Sequence, residues 1–241
     1  LRRRQRQMCI RDRIRTALLS AIYRHWSENM LENKLGITNS AELAREEERI
    51  SKTKASVMFE SGFLDTLEAG TVPTLCEIHR FLFCDIYDFA GKLRTVNISK
   101  GKFRFASVMY LEDALAAVEK MPQSSFDEII EKYVEMNIAH PFREGNGRSM
   151  RIWLDLMLKA SLGKVTDWNS VDKESYLAAM EHSPVSDRDI KAVIASALTD
   201  RISDRDTFMK GIDNSYYYEG YTAYSTARLS EIHNKINREC P

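Results

Sequence analysis

Twelve consecutive residues, His140-Pro141-Phe142-Arg143-Glu144-Gly145-Asn146-Gly147-Arg148-Ser149-Met150-Arg151, hold most of the chemistry this chain can do. The glycines permit left-handed backbone that turns successive N–H groups into one concavity, an anion nest. An apolar run follows at once (Ile152, Trp153, Leu154, Leu156, Met157, Leu158). It reads as a helix whose N-terminus, with unsatisfied N–H groups and partial positive charge, points at the same place. Arg148 and Arg151 add forked donors suited to phosphate oxygens. Glu144 offers a hard oxygen, the kind Mg²⁺ takes beside substrate phosphates. His140 can take up a proton near neutral pH. Each residue alone has an ordinary structural reading: a surface histidine, a turn, a solvated arginine face. Together they make a nucleotide-phosphate site the better explanation.

The segment resembles the Fic family signature, H-x-F-x-[D/E]-G-N-G-R-x-x-R, at every specified position. The resemblance implies transfer of AMP from ATP to a Tyr, Thr or Ser hydroxyl of a target protein, with release of pyrophosphate. His140 would be the general base. Glu144 would hold Mg²⁺ or Mn²⁺ between the α- and β-phosphates. Gly145, Asn146 and Gly147 would form the anion hole. Arg148 would bind the β-phosphate and Arg151 the γ-phosphate, and Phe142 would anchor the loop from inside. Asn137 and Lys100 would join the nucleotide contacts. Phosphoryl-type transfer needs mainly positioning and charge neutralisation, so this assignment is physically consistent.

Ser215-Tyr216-Tyr217-Tyr218-Glu219-Gly220 resembles the family's inhibitory motif, [S/T]-x-x-x-E-[G/N]. Ser215 and Glu219 are four residues apart, hence on one helix face, and Gly220 reads as the helix C-cap. The resemblance implies that Glu219 pairs with Arg151 and removes the γ-phosphate clamp. Tyr216, Tyr217 and Tyr218 are then candidates for self-modification if this helix detaches. The stretch Val96–Ala106 alternates polar and apolar residues around Lys100-Gly101 and reads as a β-hairpin. In the family this is a flap on which the target protein docks by strand addition.

Other outcomes stay in view. Some relatives transfer UMP or phosphocholine. The kinase branch carries lysine where this chain has Gly147, so phosphorylation is not expected. Glu219 leaves AMP removal, alone or beside AMP transfer, as an alternative, and a non-catalytic nucleotide-binding module is another.

The elements that must position these groups are helical. Ser40–Ser61 carries Leu43, Ile50, Val57 and Met58 among many charges, as a surface helix does. Pro73 opens a helix bearing Leu75, Ile78, Phe81 and Leu82. Phe126, Ile129, Ile130, Tyr133, Val134 and Ile138 recur at helical spacing after a Ser124 or Ser125 cap, and that helix delivers His140. A buried helix is expected over Arg148–Leu162, then three more over 172–183, 187–199 and 204–219. The fold class is all-α with one small hairpin, the Fic architecture. The expected division is an extension over 1–29, a core over 30–212, and an inhibitory helix and tail over 213–241.

The chain has 241 residues, 44% of them apolar, and no net charge, so it can bury a sizeable core and is not expected to be disordered. It has no apolar run long enough for a transmembrane helix. Cys9, Cys76, Cys84 and Cys240 form no zinc or disulfide pattern, which favours the cytoplasm. Residues 1–29 hold eight arginines, no lysine and two acids, leaving about −6 for the rest. The stretch could be a basic arm, but nucleic acid is not an expected partner. Residues 6–13 match the in-frame reading of a sequencing adapter, and Met30 is the expected start. No membrane association is expected; a homo-oligomer remains open.

Overall fold

The computed structural model describes residues 31–100 and 103–229. The arginine-rich stretch, the hairpin turn at Gly101-Lys102, Cys9, Cys240 and the tail from Ser230 lie outside the described residues. Eight α-helices lie within them: α1 Ser40–Glu60, α2 Val72–Phe83, α3 Leu111–Glu119, α4 Phe126–Ala139, α5 Asn146–Leu162, α6 Lys173–His182, α7 Arg188–Ser196 and α8 Arg205–Tyr218. Two short antiparallel pairs complete the picture. β1 (Ser99–Lys100) pairs with β2 (Phe103–Arg104), with Ser99 opposite Arg104 and Lys100 opposite Phe103. β3 (Val165–Thr166) pairs with β4 (Leu198–Thr199). The hairpin is where the alternation put it. The second pair and α3 were not foreseen.

Caps explain where the helices begin. Ser125 closes a capping box with Glu128, so the second of the two candidate serines starts α4. Thr71 caps α2, with Pro73 in its first turn. Gly145, at φ 76°, precedes α5, which begins at Asn146, two residues earlier than its apolar pattern suggests. α5 is the central helix: Trp153, Leu154, Met157 and Leu158 are fully enclosed. It packs against α2 and α4, and the Trp153 indole donates to the Thr71 carbonyl 3.0 Å away at the start of α2.

α8 runs through residue 213 without a break, so the expected division at 212/213 falls inside one helix. Gly220 follows its last turn at φ 94°, and the Tyr221 amide closes back onto the Tyr216 carbonyl.

The surface reading of α1 needs correction. Leu43, Glu47, Ser51, Ala55 and Met58 form one stripe, and all are buried. Glu48 and Lys52 are buried as well. Buried charge on this scale must be paired, and its partners come from the site and the C-terminal segment.

Candidate active site

His140 ends α4 in the left-handed conformation (φ 49°, ψ 66°). Among the described residues it is the only non-glycine with positive φ. Such a residue costs energy and persists only where its surroundings fix it. Here they do: the imidazole stacks on Phe105, centroids 3.7 Å apart, and Nδ1 lies 3.2 Å from the Asn137 carbonyl. That contact assigns the proton to Nδ1 and leaves the Nε2 lone pair free. Burial lowers the pKa of His140 to about 4, so the ring is neutral at pH 7. Asn137 serves here through its backbone carbonyl.

The loop between α4 and α5 is tied down from within. Asn146 turns its side chain back, accepting from the Phe142 amide at 2.8 Å and donating to the Phe142 carbonyl at 2.7 Å. Of the three residues expected to form an anion hole, Asn146 therefore offers only its backbone. Phe142 is fully buried against His79, ring centroids 3.8 Å apart. His79 accepts from the Gly91 amide at Nδ1, 2.8 Å, and donates from Nε2 to the Glu144 carbonyl, 2.8 Å. Acceptance at Nδ1 requires the neutral ring, and burial lowers its pKa to about 4. Gly145 is forced: a Cβ there would lie 2.5 Å from the Phe83 ring.

Arg148 is 1% exposed and meets three carboxylates. Nη1 lies 2.5 Å from Glu47 Oε1, Nη2 2.9 Å from Glu144 Oε1, and Nε 2.9 Å from Glu219 Oε2. The last is an ion contact in which the N–H is not aligned. Arg151 donates from Nε to Ser215 Oγ at 2.7 Å, and from Nη2 to the Ser215 carbonyl and Glu219 Oε1, both at 2.8 Å. Burial alone would raise the pKa of Glu219, but Arg148 and then Arg151 outweigh it and hold the carboxylate below the usual range. Oε1 of Glu219 lies 2.5 Å from where a Gly147 Cβ would sit, so only glycine admits this approach. Lys100, on the exposed flap strand, adds positive charge toward both His140 and Glu219.

Glu144 accepts from the Gly145 amide and Arg148 on Oε1, which leaves Oε2 available among the described residues. Burial shifts its pKa upward. No group of three or more acidic, histidine or cysteine side chains forms a metal cage among the described residues. One available carboxylate oxygen therefore fits a cation whose other ligands are phosphates and water.

The structure thus brings together His140, Glu144, Gly145, Gly147, Arg148, Arg151, Ser215 and Glu219, with the charge of Lys100 facing them; Gly220 is exposed and serves only to end α8. Tyr216 and Tyr218 are 1% and 4% exposed, and Tyr218 Oη donates to the Trp168 and Val171 carbonyls. Only Tyr217, 48% exposed, is open with α8 docked.

Sequence reasoning missed Glu47, His79 and Arg94. Glu47 had a signal, its four-residue register with Leu43. It also receives the hydroxyls of Tyr87 and of Tyr221, the latter at 2.8 Å.

Residues 70–158 match the model of the Fic/DOC family. The chain is 31% identical over 137 residues to "Probable protein adenylyltransferase Fic" of Escherichia coli K12, covering 51% of this chain and 68% of that relative. The protein of the same name in Salmonella typhimurium LT2 is 28% identical over 188 residues, or 71% of this chain and 89% of the relative. Among solved structures, the BepC effector of Bartonella tribocorum with bound AMPPNP superposes with a TM-score of 0.60 at 18% identity. That match covers 71% of this chain and 93% of BepC. An N-terminal Fic domain from Bartonella quintana with bound ADP gives 0.60 at 20% identity, covering 71% and 91%.

Proposed function

The chain belongs to the Fic/DOC family, and from that premise we propose that it transfers AMP from ATP to a hydroxyl side chain of a target protein and is held inactive by Glu219. One observation carries the reading. Two buried arginines and the start of α5 converge on a single spot, and a carboxylate of this same chain sits in it. Glu219 there stands in for a phosphate. Arg151 meets no other carboxylate among the described residues, so with Glu219 gone its charge calls for another anion, and the occupant that fits is the nucleotide triphosphate.

The chemistry follows from the placement. With Glu219 withdrawn, Arg151 is released for the terminal phosphate, and Arg148 and the α5 amides serve the inner phosphates. His140 Nε2 takes the proton of the target hydroxyl as its oxygen attacks the α-phosphorus, and pyrophosphate leaves. A base with a pKa of about 4 is weak, but the triphosphate brings negative charge beside the ring, which raises its affinity for a proton. Glu144, with one oxygen available, would hold Mg²⁺ or Mn²⁺ against the phosphates, and that ion would neutralise their charge. The flap strand at Lys100 is exposed and offers an edge for the target chain.

Removal of AMP is less favoured for the docked state. Both Glu219 oxygens are taken by arginines, and a carboxylate with a lowered pKa is a poor base. A cytoplasmic location belongs to the same proposal; Cys76 and Cys84 are free thiols, as a reducing compartment would keep them.

The test is incubation of wild type, Glu219→Gly and Glu219→Gly/His140→Ala with α-labelled ATP and a cell lysate. Label should enter protein strongly with Glu219→Gly, weakly with wild type and not with the double variant. If Glu219→Gly labels no more than wild type while folded and able to bind ATP, inhibition by Glu219 is wrong. If neither protein labels anything, AMP transfer is wrong.

A further inference from the structure

Arg94 is 5% exposed, and among the described residues it has no carboxylate partner. Its guanidinium instead donates to four backbone carbonyls. Nε bonds His140 O at 2.8 Å, Nη1 bonds Val96 O at 2.9 Å, and Nη2 bonds Ala139 O at 3.1 Å and also Ala106 O. Its own amide donates to Pro141 O at 2.8 Å. These acceptors fall in two groups. Ala139, His140 and Pro141 are the turn that carries the base. Val96 and Ala106 flank the flap, one before β1 and one after β2.

A buried cation without a counter-ion is expensive. A purely structural brace between two loops could be built from apolar contacts at lower cost. What the guanidinium adds is a rigid planar fork that fixes several carbonyls at once. One of them belongs to the strained residue: His140 holds φ 49°, and its carbonyl is gripped by Arg94 Nε. The flap side is gripped by the same plane, and Phe105, one residue before Ala106, stacks on the His140 ring.

We propose that Arg94 is a positioning residue that holds the His140 imidazole in its left-handed, flap-covered pose and couples it to the strand on which the acceptor docks. The inference rests on AMP transfer as the reaction, but the geometry it invokes exists without substrate. Misplacement of a reacting group by about 1 Å can cost roughly 10²-fold in rate, so loss of the fork should act on turnover and on acceptor binding, not on ATP binding.

Arg94→Lys and Arg94→Ala in the full chain test this, in the Glu219→Gly background if that substitution accelerates transfer and in wild type otherwise. Lysine keeps the cation and loses the fork. Both variants should lose turnover at saturating ATP and raise the KM for the acceptor, with ATP affinity unchanged. Methylguanidinium below denaturing concentration should restore part of the turnover of Arg94→Ala and none of that of His140→Ala. The charges facing His140 are Glu219, Lys100 and Arg94 itself. Removing the Arg94 cation should move the acid limb of the pH–rate profile upward in Arg94→Ala and leave it in place in Arg94→Lys. A proton-NMR titration of His140, assigned with His140→Ala, reads the same shift without turnover. It reads whether the Arg94 cation faces the ring even if the protein transfers no AMP, and the turnover and acceptor KM of Arg94→Lys read the fork. Folded variants with normal turnover, or with an unmoved His140 titration in Arg94→Ala, would overturn the proposal. So would a fall in turnover matched by an equal fall in ATP affinity. If Arg94→Ala does not fold, Arg94→Lys decides alone: normal turnover and acceptor KM would sink the idea.

Discussion

Two segments meet at Gly147, and they are fastened in different ways. The turn from Ala139 to Gly145 is held by side chains that bind backbone atoms: Arg94 on the carbonyls of Ala139 and His140, Asn146 on both polar groups of Phe142, His79 on the carbonyl of Glu144. Backbone partners cannot swing away, so each bond specifies one geometry. The C-terminal segment, α8 and residues 219–226, is held largely through charged side chains. Glu219 meets Arg148 and Arg151, Tyr221 donates to Glu47, and the Ala223 and Tyr224 amides donate to Glu48. Lys52 bridges Glu48, Asp213 and the Tyr224 carbonyl. In buried ion pairs, attraction and desolvation nearly cancel. A competing anion can therefore replace one partner at small net cost. On the function proposed above, the first is the part that keeps one shape and the second the part exchanged for nucleotide.

The contrast can be broken from the rigid side first. His140→Ala should cut transfer by roughly 10²–10⁴-fold, the usual span of a general base, while the melting temperature stays close to wild type. Initial rates with labelled ATP measure it, and retention of most activity would remove His140 from that role. Asn146→Ala should cost stability as well as rate. It orphans a buried amide and carbonyl at Phe142, at about 1–3 kcal/mol each. Thermal melts should drop by several degrees; an unchanged melt would mean that the loop is held elsewhere.

Acid should loosen the rigid part before the exchangeable one. His79 titrates at about 4 in the fold and 6.5 unfolded. Its neutral form is the folded one, so stability falls as pH drops from 6.5 toward 4, by about 3 kcal/mol in all. Glu219 is likewise held below its ordinary value; its contribution persists above that value and is lost only as pH falls through the lowered one. Melts of wild type and His79→Phe across this range should show a steeper slope in wild type; His140, lowered in the same way to about 4, adds its own slope to both proteins and cancels in the difference. Asp155, raised by burial to about 7, loses stability as pH rises, but it does so in both proteins and cancels in the difference. Equal slopes would count against the neutral-His79 arrangement.

The smallest expected effect is at the exchangeable side. Ser215→Ala removes one charge-assisted bond to Arg151, worth about 1.5–3 kcal/mol. Transfer should rise above wild type and stay below Glu219→Gly. A rate at or below wild type would show that Ser215 supports the fold and not the lock.

Much of this was legible in the chain itself. The 140–151 turn, a cap at Ser124 or Ser125, the left-handed glycines at 145 and 220, the buried run of α5 and the Ser215–Glu219 face all follow from rules that act within a few residues. Caps, turns and helical stripes are local, so local sequence specifies them. The rest depended on contacts between distant segments. Glu47 reads as one more charge on a polar helix until Arg148, 101 residues later, arrives to pair with it. Arg94 reads as a loop arginine until the end of α4 presents its carbonyls. Tyr216 and Tyr217 are adjacent and identical, yet one is enclosed and the other half open. Two residues per strand give β3 and β4 no pattern of their own, and only the neighbouring chain makes them strands. Whether a charge is buried, and what it then meets, is a property of the packed molecule, because desolvation is set by every atom that surrounds the group and not by its neighbours in sequence.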